Sequence, residues 1–266
     1  MKYFDAHAHI QFPQFDEDRV ELLSHMQEKG IGGIVVGVDL PSSQKAIQLA
    51  EESETLFAAV GLHPNHTDEE FDVEVYKKLG AHPTVVAIGE CGLDYYRPEE
   101  PEEVKEKQKV LFRQHVDVAL ELDLPLIIHA RPSKGTMDAY QDLIAILGEY
   151  KTKHGDRLRG DIHFFVGGKE EAAQFVMLGF TMSYTAVVTF AREYDETIRS
   201  IPLTHLVSET DAPYVAPASR RGTRNDPMAV EEVVAALAEI RGENPEIVRE
   251  AMLQNASRVF GIVLPT

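Results

Sequence analysis

Histidine and carboxylate side chains stand at or just after the ends of several apolar segments in this chain. His7 and His9 follow the first such segment, and residues i and i+2 of an extended backbone project to the same side, so both imidazoles can reach one point. The other ligand-type residues follow later apolar segments: Glu90, His129, His163 and Asp211. Each alone is explained by hydrogen bonding or surface exposure, but four imidazoles and two carboxylates in one cavity require a balancing cation. The set predicts a metal site.

The ligand types also indicate what kind of metal site to expect. Imidazole-rich sites with carboxylates suit Zn²⁺, Mn²⁺, Fe²⁺ or Co²⁺, whereas Mg²⁺ prefers oxygen ligands. The single cysteine, Cys91, is expected to be a small core residue, and a site without cysteine favours a catalytic centre over a closed structural one. Six ligands suffice for two ions when one carboxylate bridges them. Two ions about 3.5–4 Å apart activate a water and stabilise a leaving oxygen.

The elements that must position these side chains alternate between two kinds. Short apolar, β-branched runs predict eight strands: Lys2–Ala6, Gly33–Val38, Leu56–Val60, Thr84–Ile88, Pro125–Ile128, Gly160–Ile162, Gly179–Ser183 and His205–Ser208. Helical spacing marks further segments: Asp16–Lys29, Ser42–Ser53, Glu102–Leu122, Met137–Tyr150, Asp226–Arg241 and Pro245–Phe260. Apolar strands that alternate with helices indicate a parallel sheet buried on both faces, and eight such units predict an α/β fold with one (β/α)₈ barrel of the TIM type. Barrel enzymes build their sites at the carboxyl ends of the strands, where the ligand-type residues stand. No GxGxxG follows the first strand, which weakens a dinucleotide-binding alternative.

Composition bounds the remaining possibilities. A chain of 266 residues with no internal repeat or linker is expected to form one domain over residues 1–266. No stretch approaches the roughly 20 apolar residues that span a bilayer, and no signal peptide is visible, so no membrane partner is expected. One cysteine fits a reducing cytosol and a cytoplasmic location. The acidic segment 97–109 is expected to be a solvated loop that runs into the exposed face of a helix.

The formal net charge of −18 argues against binding nucleic acid through a long-range positive field. The longest basic cluster is the segment RRGTR at 220–224. A phosphate-bearing substrate would therefore be held locally, by metal ions and a few arginines.

Several separate motifs, in order, resemble the TatD family of metal-dependent deoxyribonucleases, within the amidohydrolase-like barrels. The motifs are FDAHAH, GLHP, GECGLDYY, LPLIIHAR, HFF-x-GG and SETDAPY followed by RGTRNDP. The likeness extends from residue 3 to about residue 260, where it ends in NASRVF at 255–260.

The resemblance implies a role for each matching residue. His7 and His9 would hold one metal together with Asp211, and Glu90 would bridge to a second metal held by His129 and His163. Asp211 would also orient or deprotonate the attacking water. Three further groups of the substrate site are implied: His63 of the GLHP motif as a phosphate contact, Arg131, and Arg221 or Arg224 as donors to phosphate oxygens. Each arginine could instead form a structural ion pair. Asp94, Tyr95 and Tyr96 either shape the cleft or pack at the start of the loop.

Two positions depart from the family pattern. Gln11 stands where an aspartate often follows the paired histidines, and HFFVGG, beginning at His163, replaces a loop that usually bears Ser or Thr. Neither change removes a ligand, so the departures put substrate preference in question and leave metal binding intact.

The function that the resemblance implies is a metal-dependent deoxyribonuclease with two divalent ions (Mg²⁺, Mn²⁺ or Zn²⁺) and DNA as substrate, trimming single strands from the 3′ end. One alternative is a related barrel hydrolase that acts on a small phosphoester, amide or lactone. The lysine expected after strand four of many amidohydrolases is replaced by Glu90, which favours the nuclease branch. The other alternative is a non-catalytic binding protein with a vestigial site, which the intact set of six ligands disfavours.

Overall fold

The computed structural model describes residues 1–96 and 102–264 and contains one sheet of eight parallel strands in chain order. The strands are β1 (Tyr3–Ala8), β2 (Ile31–Val36), β3 (Leu56–Val60), β4 (Val85–Asp94), β5 (Leu126–Arg131), β6 (Gly160–His163), β7 (Thr181–Tyr184) and β8 (Leu206–Ser208). The sheet closes where a parallel bridge joins Ala8 to Ala212 beyond the end of β8. The Ser208 hydroxyl also donates to the Phe4 carbonyl at 3.1 Å. The predicted (β/α)₈ barrel is confirmed.

Helices follow the strands and cover the outside of the barrel. They are α1 (Arg19–Lys29), α2 (Leu40–Glu51), α3 (Val73–Gly80), α4 (Glu102–Leu122), α5 (Asp138–His154), α6 (Lys169–Leu178), α7 (Asp195–Ser200), α8 (Val230–Arg241) and α9 (Pro245–Phe260). The predicted bounds of α4 and α9 are confirmed. Within the expected acidic loop, residues 97–101 lie outside the described residues.

Two predicted helices begin three or four residues later than expected. The helix expected from Asp16 begins at Arg19, after a 3₁₀ turn at Pro13–Phe15. The helix expected from Asp226 begins at Val230, because the Asp226 carboxylate caps a preceding 3₁₀ turn by accepting the Met228 amide. In α2, Asp39 and Ser42 cap each other's amides, which fixes the chain's exit from β2.

The strands β4 and β5 run three or more residues further toward the site than their apolar runs predict. β4 was expected to end at Ile88 and β5 at Ile128, but they pair as far as Asp94 and Arg131. The segment Gly-Glu-Cys-Gly has the composition of a turn, and the pairing of β4 with β5 is irregular between Ile88 and Cys91 but resumes at Cys91. As a result Glu90 and His129 lie within strands, on rigid backbone.

The amino end of the barrel is filled by apolar side chains. One buried cluster draws on β1, β2, β3, β4, β5 and β8 and on the end of α9; among its members are Phe4, Ile34, Ala59, Ala87, Ile127, Val207, Val259 and Phe260. Asn255 of α9 donates to the carbonyls of Leu203 and Leu206, at the start of β8. The last helix therefore closes this end of the barrel. Among the described residues, no helix is long and apolar enough to cross a membrane.

Candidate metal centre

The predicted ligands after β1 and β8 come together at the carboxyl end of the barrel. His7 Nε2 and His9 Nε2 are 3.2 Å apart. Asp211 Oδ1 lies 3.4 Å from His9 Nε2 and 4.0 Å from His7 Nε2. All three residues are buried. They form one compact group of ligand atoms.

Glu90 joins this group to the other predicted ligands. Its Oε2 lies 3.4 Å from His7 Nε2 and 3.7 Å from His9 Nε2. Its Oε1 lies 2.8 Å from His129 Nδ1 and 3.8 Å from His163 Nε2. The carboxylate thus spans between the two pairs of histidines, which is the position that a bridging ligand needs.

The spacing of these atoms fits a metal-binding site. Ligands about 2.0–2.1 Å from a tetrahedral ion lie about 3.4 Å from one another, and the edges between His7, His9 and Asp211 are 3.2, 3.4 and 4.0 Å. His9 Nδ1 donates to the Val36 carbonyl at 2.8 Å, so its Nε2 lone pair faces His7 Nε2. Two imidazole nitrogens in such close contact need a shared cation or proton between them. This chain can hold divalent ions here.

Two glycines allow β4 to carry Glu90 against β5. Gly89 has φ +155°, and a Cβ there would lie 2.5 Å from the Ile127 carbonyl oxygen. Gly92 has φ +139°, and a Cβ there would lie 2.0 Å from the His129 carbonyl oxygen. Any side chain at either position would push β4 away from β5. The glycines of the GECGLD motif therefore set the distance between Glu90 and His129.

The backbone around Asp211 is held by an unpredicted carboxylate. Asp211 has φ +53°, in the left-handed region that non-glycine residues rarely adopt. The Asp5 carboxylate accepts the Thr210 amide at 2.8 Å and the Thr210 hydroxyl at 2.5 Å, and it also accepts the His7 amide at 3.2 Å. Asp5 thus ties the ligand segment after β1 to the one after β8.

Two further carboxylates orient the imidazoles of His129 and His163. The sequence analysis gave neither carboxylate this role. His163 Nδ1 donates to Glu209 Oε2 at 2.9 Å, which leaves Nε2 free as a ligand. His129 Nε2 donates to Asp94 Oδ2 at 3.2 Å, which leaves Nδ1 facing Glu90. The sequence held a signal for Asp94, which lies four residues after Glu90 in the same strand and therefore on the same side of it. Such carboxylate–histidine pairs fix the ring and its tautomer.

A buried hydrogen-bonded chain extends behind His163 into the barrel. Ser183 Oγ lies 2.7 Å from Glu209 Oε2 and 2.5 Å from Asp161 Oδ2. One hydroxyl proton cannot serve both carboxyl groups, so one of them carries a proton. Burial, with the nearby charge of Glu209, raises the pKa of Asp161 to about 7, so this carboxyl group takes up a proton as the pH falls below neutral.

Protonation balances the charge of the centre when no ion is bound. Burial opposes the charged form of both second-group histidines, but Glu209 raises the pKa of His163 to about 10 and hydrogen bonds to Asp94 and Glu90 raise that of His129 to about 9. The pKa of Glu90 lies well below its usual range, because the surrounding histidines outweigh the effect of burial. A metal ion must therefore displace protons from His129 and His163.

His63 has a hydrogen-bonding pattern unlike that of the ligand histidines. Its Nδ1 accepts the Asn65 amide at 3.1 Å, so in the neutral ring the proton sits on Nε2. That Nε2 lies 3.5 Å from Glu90 Oε1. Burial lowers the pKa of His63 to about 3, so the ring is neutral. His63, Asp94 and His129 also form a compact group of ligand-type atoms, but the tautomer makes His63 a hydrogen-bond donor.

A cavity of about 770 Å³ lies over these residues and is open to solvent. Arg131 lines its wall. Arg221 lies farther out, with its guanidinium 4.1 Å above the Phe190 ring. Arg224 is bound to both carboxylate oxygens of Asp18 and to the Gln14 carbonyl. The geometry favours the structural ion pair for Arg224. Arg131 and Arg221 have no carboxylate partner among the described residues, and Arg221 Nη1 donates to the Ala216 carbonyl at 3.4 Å.

The residues that depart from the family pattern support the site from behind. Gln11 is buried, and its Nε2 donates at 2.7 Å to the same Val36 carbonyl that receives His9 Nδ1. The Phe164 amide donates to Glu209 Oε1 at 2.7 Å. Cys91, as expected, is buried in the core.

Fold and site together define a metal-dependent hydrolase of the TIM-barrel type. A model of the family described as TatD related DNase matches residues 4–261, and the chain therefore belongs to that family. The resemblance expected from its motifs is confirmed. The chain is a hydrolase that acts on ester bonds, as its family does.

Relatives of similar length match along nearly the whole chain. The "Uncharacterized metal-dependent hydrolase YabD" of Bacillus subtilis (strain 168) is 36% identical, with 97% of this chain and 99% of the relative covered. The "3'-5' ssDNA/RNA exonuclease TatD" of Pantoea ananatis is 31% identical, with 98% of this chain and 100% of the relative covered. The crystal structure of YjjV, a TatD homologue from Escherichia coli K12, superimposes with a TM-score of 0.87 at 29% identity, covering 98% and 99% of the two chains.

Proposed function

We propose that this protein is a deoxyribonuclease that hydrolyses phosphodiester bonds of single-stranded DNA from the 3′ end through a binuclear metal centre. The observation that carries the proposal is the convergence of the other five ligand residues around Glu90. The relative from Pantoea ananatis, named as a 3′–5′ exonuclease of single-stranded DNA and RNA, supports the choice of substrate. The proposed location is the cytoplasm.

His7, His9 and Asp211 would hold one ion, and His129 and His163 the other, with Glu90 bridging them. Two observations support this division: the Glu90 carboxylate lies near both pairs of histidines, and His7 Nε2 lies only 3.2 Å from His9 Nε2. The ions, of which Mg²⁺, Mn²⁺ and Zn²⁺ are the candidates, would supply Lewis acidity that activates water and stabilises the leaving oxygen. Glu209 and Asp94 hold the rings of His163 and His129 in the ligand tautomer.

Asp211 is the proposed proton acceptor for the attacking water. Burial would raise the pKa of Asp211, but the hydrogen bond to His9 and the charges of nearby histidines lower it below its usual value. The group is therefore a carboxylate at neutral pH. It lines the cavity beside the ligands, within reach of a water in the centre.

His63 and the arginines are the proposed contacts for phosphate groups of the substrate. His63 presents a neutral Nε2–H at the cavity wall, fixed by Asn65, and can donate to a non-bridging oxygen without repelling a nearby cation. Arg131 lines the same cavity and can donate with its planar fork. Arg221 is placed farther from the centre, where it can reach a neighbouring phosphate.

Removal and restoration of metal tests the proposal. The protein would be stripped with chelator, then assayed on end-labelled single-stranded DNA after addition of Mg²⁺, Mn²⁺ or Zn²⁺, beside Glu90→Ala. Metal-dependent loss of 3′-terminal nucleotides, absent in Glu90→Ala, is the expected result. Binding of two ions per chain without cleavage of DNA under any condition would contradict the nuclease and redirect the search to small phosphoesters, amides or lactones.

A further inference from the structure

Aromatic side chains exposed to solvent are confined to the face of the barrel that carries the metal centre. In residues 1–96 and 102–264, the exposed aromatic residues are Tyr96 (47%), Phe190 (38%) and Tyr214 (47%). They follow β4, β7 and β8, beyond the carboxyl end of each strand. The large exposed side chains on the outer helices are aliphatic, such as Val20, Val110 and Met177. The three exposed aromatic residues lie together on one face, whereas single apolar residues scattered over a protein surface are ordinary.

Two of these rings carry an arginine on one face. The Arg131 guanidinium lies 3.8 Å from the centre of the Tyr96 ring, and that of Arg221 lies 4.1 Å from the centre of the Phe190 ring. Within the described chain, neither arginine has a carboxylate within 4.0 Å, whereas the neighbouring Arg224 is paired with Asp18. Each pair therefore places a guanidinium, without a carboxylate partner among the described residues, against a partly exposed ring, where it can bind an anion.

The two pairs stand on either side of the metal centre. In a closed barrel of eight strands in chain order, the ends of β4 and β8 are opposite each other. Tyr96, beyond β4, thus lies on the opposite side of the barrel from Tyr214, beyond β8, while Phe190 follows β7, the strand next to β8. Tyr214 also lines the cavity, with its ring centre 6.2 Å from that of His9. A chain laid across the mouth would meet an aromatic ring, then the metal ligands, then further rings.

We propose that the Tyr96–Arg131 and Phe190–Arg221 pairs are stacking platforms that bind unpaired bases of a single-stranded DNA on both sides of the scissile phosphate. This inference rests on the proposed function. Aromatic rings bind bases of any sequence by stacking, and an adjacent arginine binds the phosphate that follows. Bases of a duplex are already stacked and paired, so these platforms favour single strands. They also let a strongly acidic protein hold a polyanion without a basic surface.

The test compares protein variants on two substrates, a normal single strand and a strand that lacks bases near its 3′ end. Tyr96→Ala and Phe190→Ala would each be assayed with a single-stranded DNA of roughly 12 nucleotides and with the same strand carrying tetrahydrofuran in place of the nucleosides near the 3′ end. Each variant should lower kcat/KM on the normal strand by about tenfold, mainly through KM, because one stacked base is lost. On the abasic strand the variants should show no further loss relative to wild type, since that strand has no base to stack there.

Controls separate stacking from damage to the fold. Val110→Ala removes an exposed aliphatic group of α4, 59% exposed, and should match wild type on both strands. Tyr96→Phe keeps the ring and should lie closer to wild type than Tyr96→Ala. Equal losses on both strands, or no loss on either for both alanine variants, would overturn the inference. If the wild type cut neither strand, the proposed function would fail, and fluorescence anisotropy with a labelled strand would then decide the inference: unchanged affinity in Tyr96→Ala and Phe190→Ala overturns it.

Discussion

The two ends of this barrel are built from opposite kinds of side chain. The amino end is closed by an apolar cluster in which Phe4, Ile127 and Phe260 are almost completely buried. The carboxyl end buries histidines and carboxylates instead, among them His7 and Glu90. Apolar burial of the first kind stabilises the fold by about 25 cal/mol for each Å² removed from water. Burial of charged groups costs free energy unless they are paired. The comparison indicates that one end supplies the stability that the other end uses for chemistry, and substitutions should separate the two.

The largest expected effect is at the carboxyl end. Asp211→Asn keeps the shape of the side chain but removes the proton acceptor, so kcat should fall by about a thousandfold, about 4 kcal/mol in activation free energy. Its melting temperature without metal should fall below that of wild type, because the folded state lowers the pKa of Asp211 and is therefore stabilised by its charge. Asp156→Asn, at an exposed carboxylate before β6, is the control and should keep full activity. An Asp211→Asn enzyme that turned over at the parent rate would show the catalytic assignment to be wrong.

At the amino end, Phe260→Ala should destabilise the protein without changing the chemistry. Phe260 is 4% exposed, and its truncation leaves a cavity that should lower the free energy of unfolding by about 3–5 kcal/mol. Denaturant titration measures this loss, while kcat at a temperature where the variant is folded should stay at the parent value. Val263→Ala, 91% exposed, should change stability by less than about 0.5 kcal/mol. A large fall in kcat of folded Phe260→Ala would break the proposed division between the two ends.

Glu209→Gln should weaken metal binding while the metal ligands stay in place. The carboxylate holds the His163 ring by its Nδ1–H, and loss of such a partner lowers metal affinity by about 10- to 100-fold. Competition with a chelator dye measures the affinity, and Glu231→Gln, at an exposed ion pair with Lys29, serves as the control. Wild-type affinity in Glu209→Gln would mean that Glu209 has no part in orienting the ligand.

Metal affinity should rise with pH. In the metal-free protein the pKa values of His129 and His163 are raised to about 9 and about 10, so both carry a proton at pH 7 that the ion must displace. Calorimetry in buffers of different ionisation enthalpy should show release of up to two protons per chain. The stability of the metal-free protein should change with pH in the opposite direction. A raised histidine pKa adds stability that is fully present below the unfolded pKa of about 6.5 and is lost as the pH rises through 9 to 10. Binding without proton release would contradict this assignment.

The smallest expected effect is the change that Asp161→Asn makes in the pH dependence of the free energy of unfolding, expressed per pH unit. Because burial raises the pKa of Asp161 to about 7, the folded state holds a proton that the unfolded state has lost above about pH 4. The free energy of unfolding of the metal-free wild type should therefore fall by up to about 1.4 kcal/mol per pH unit between pH 4 and 7 on account of this group. Asparagine cannot ionise, so the difference between variant and wild type isolates that slope. Parallel stability curves for the two proteins would contradict a protonated Asp161.

Local sequence pattern was sufficient to predict the strands and six of the described helices, but not α3, α6 or α7. Eight strands were predicted from apolar runs, and the ends of α4 and α9 from helical spacing. The convergence of His7, Glu90 and Asp211 followed from one topological rule, that parallel strands of a barrel end at one face. The periodicity of these segments predicted their secondary structure.

Features that depend on pairing between distant segments could not be predicted in the same way. The extension of β4 to Asp94 depends on its contact with β5, which local composition does not encode. The role of Glu209 depends on His163, 46 residues earlier. The partner of Arg224 is Asp18, 206 residues away. Such hydrogen bonds are properties of the closed barrel rather than of any one segment.

Anomalous diffraction from a crystal of this protein soaked in Mn²⁺ tests the binuclear centre most directly. The account predicts two peaks about 3.5–4 Å apart at the carboxyl end of the barrel. One should lie within about 2.3 Å of ligand atoms of His7, His9 and Asp211, and the other near His129 and His163, with Glu90 touching both. No peak at this end of the barrel, or a single peak that leaves Glu90 without a metal contact, would contradict the central claim.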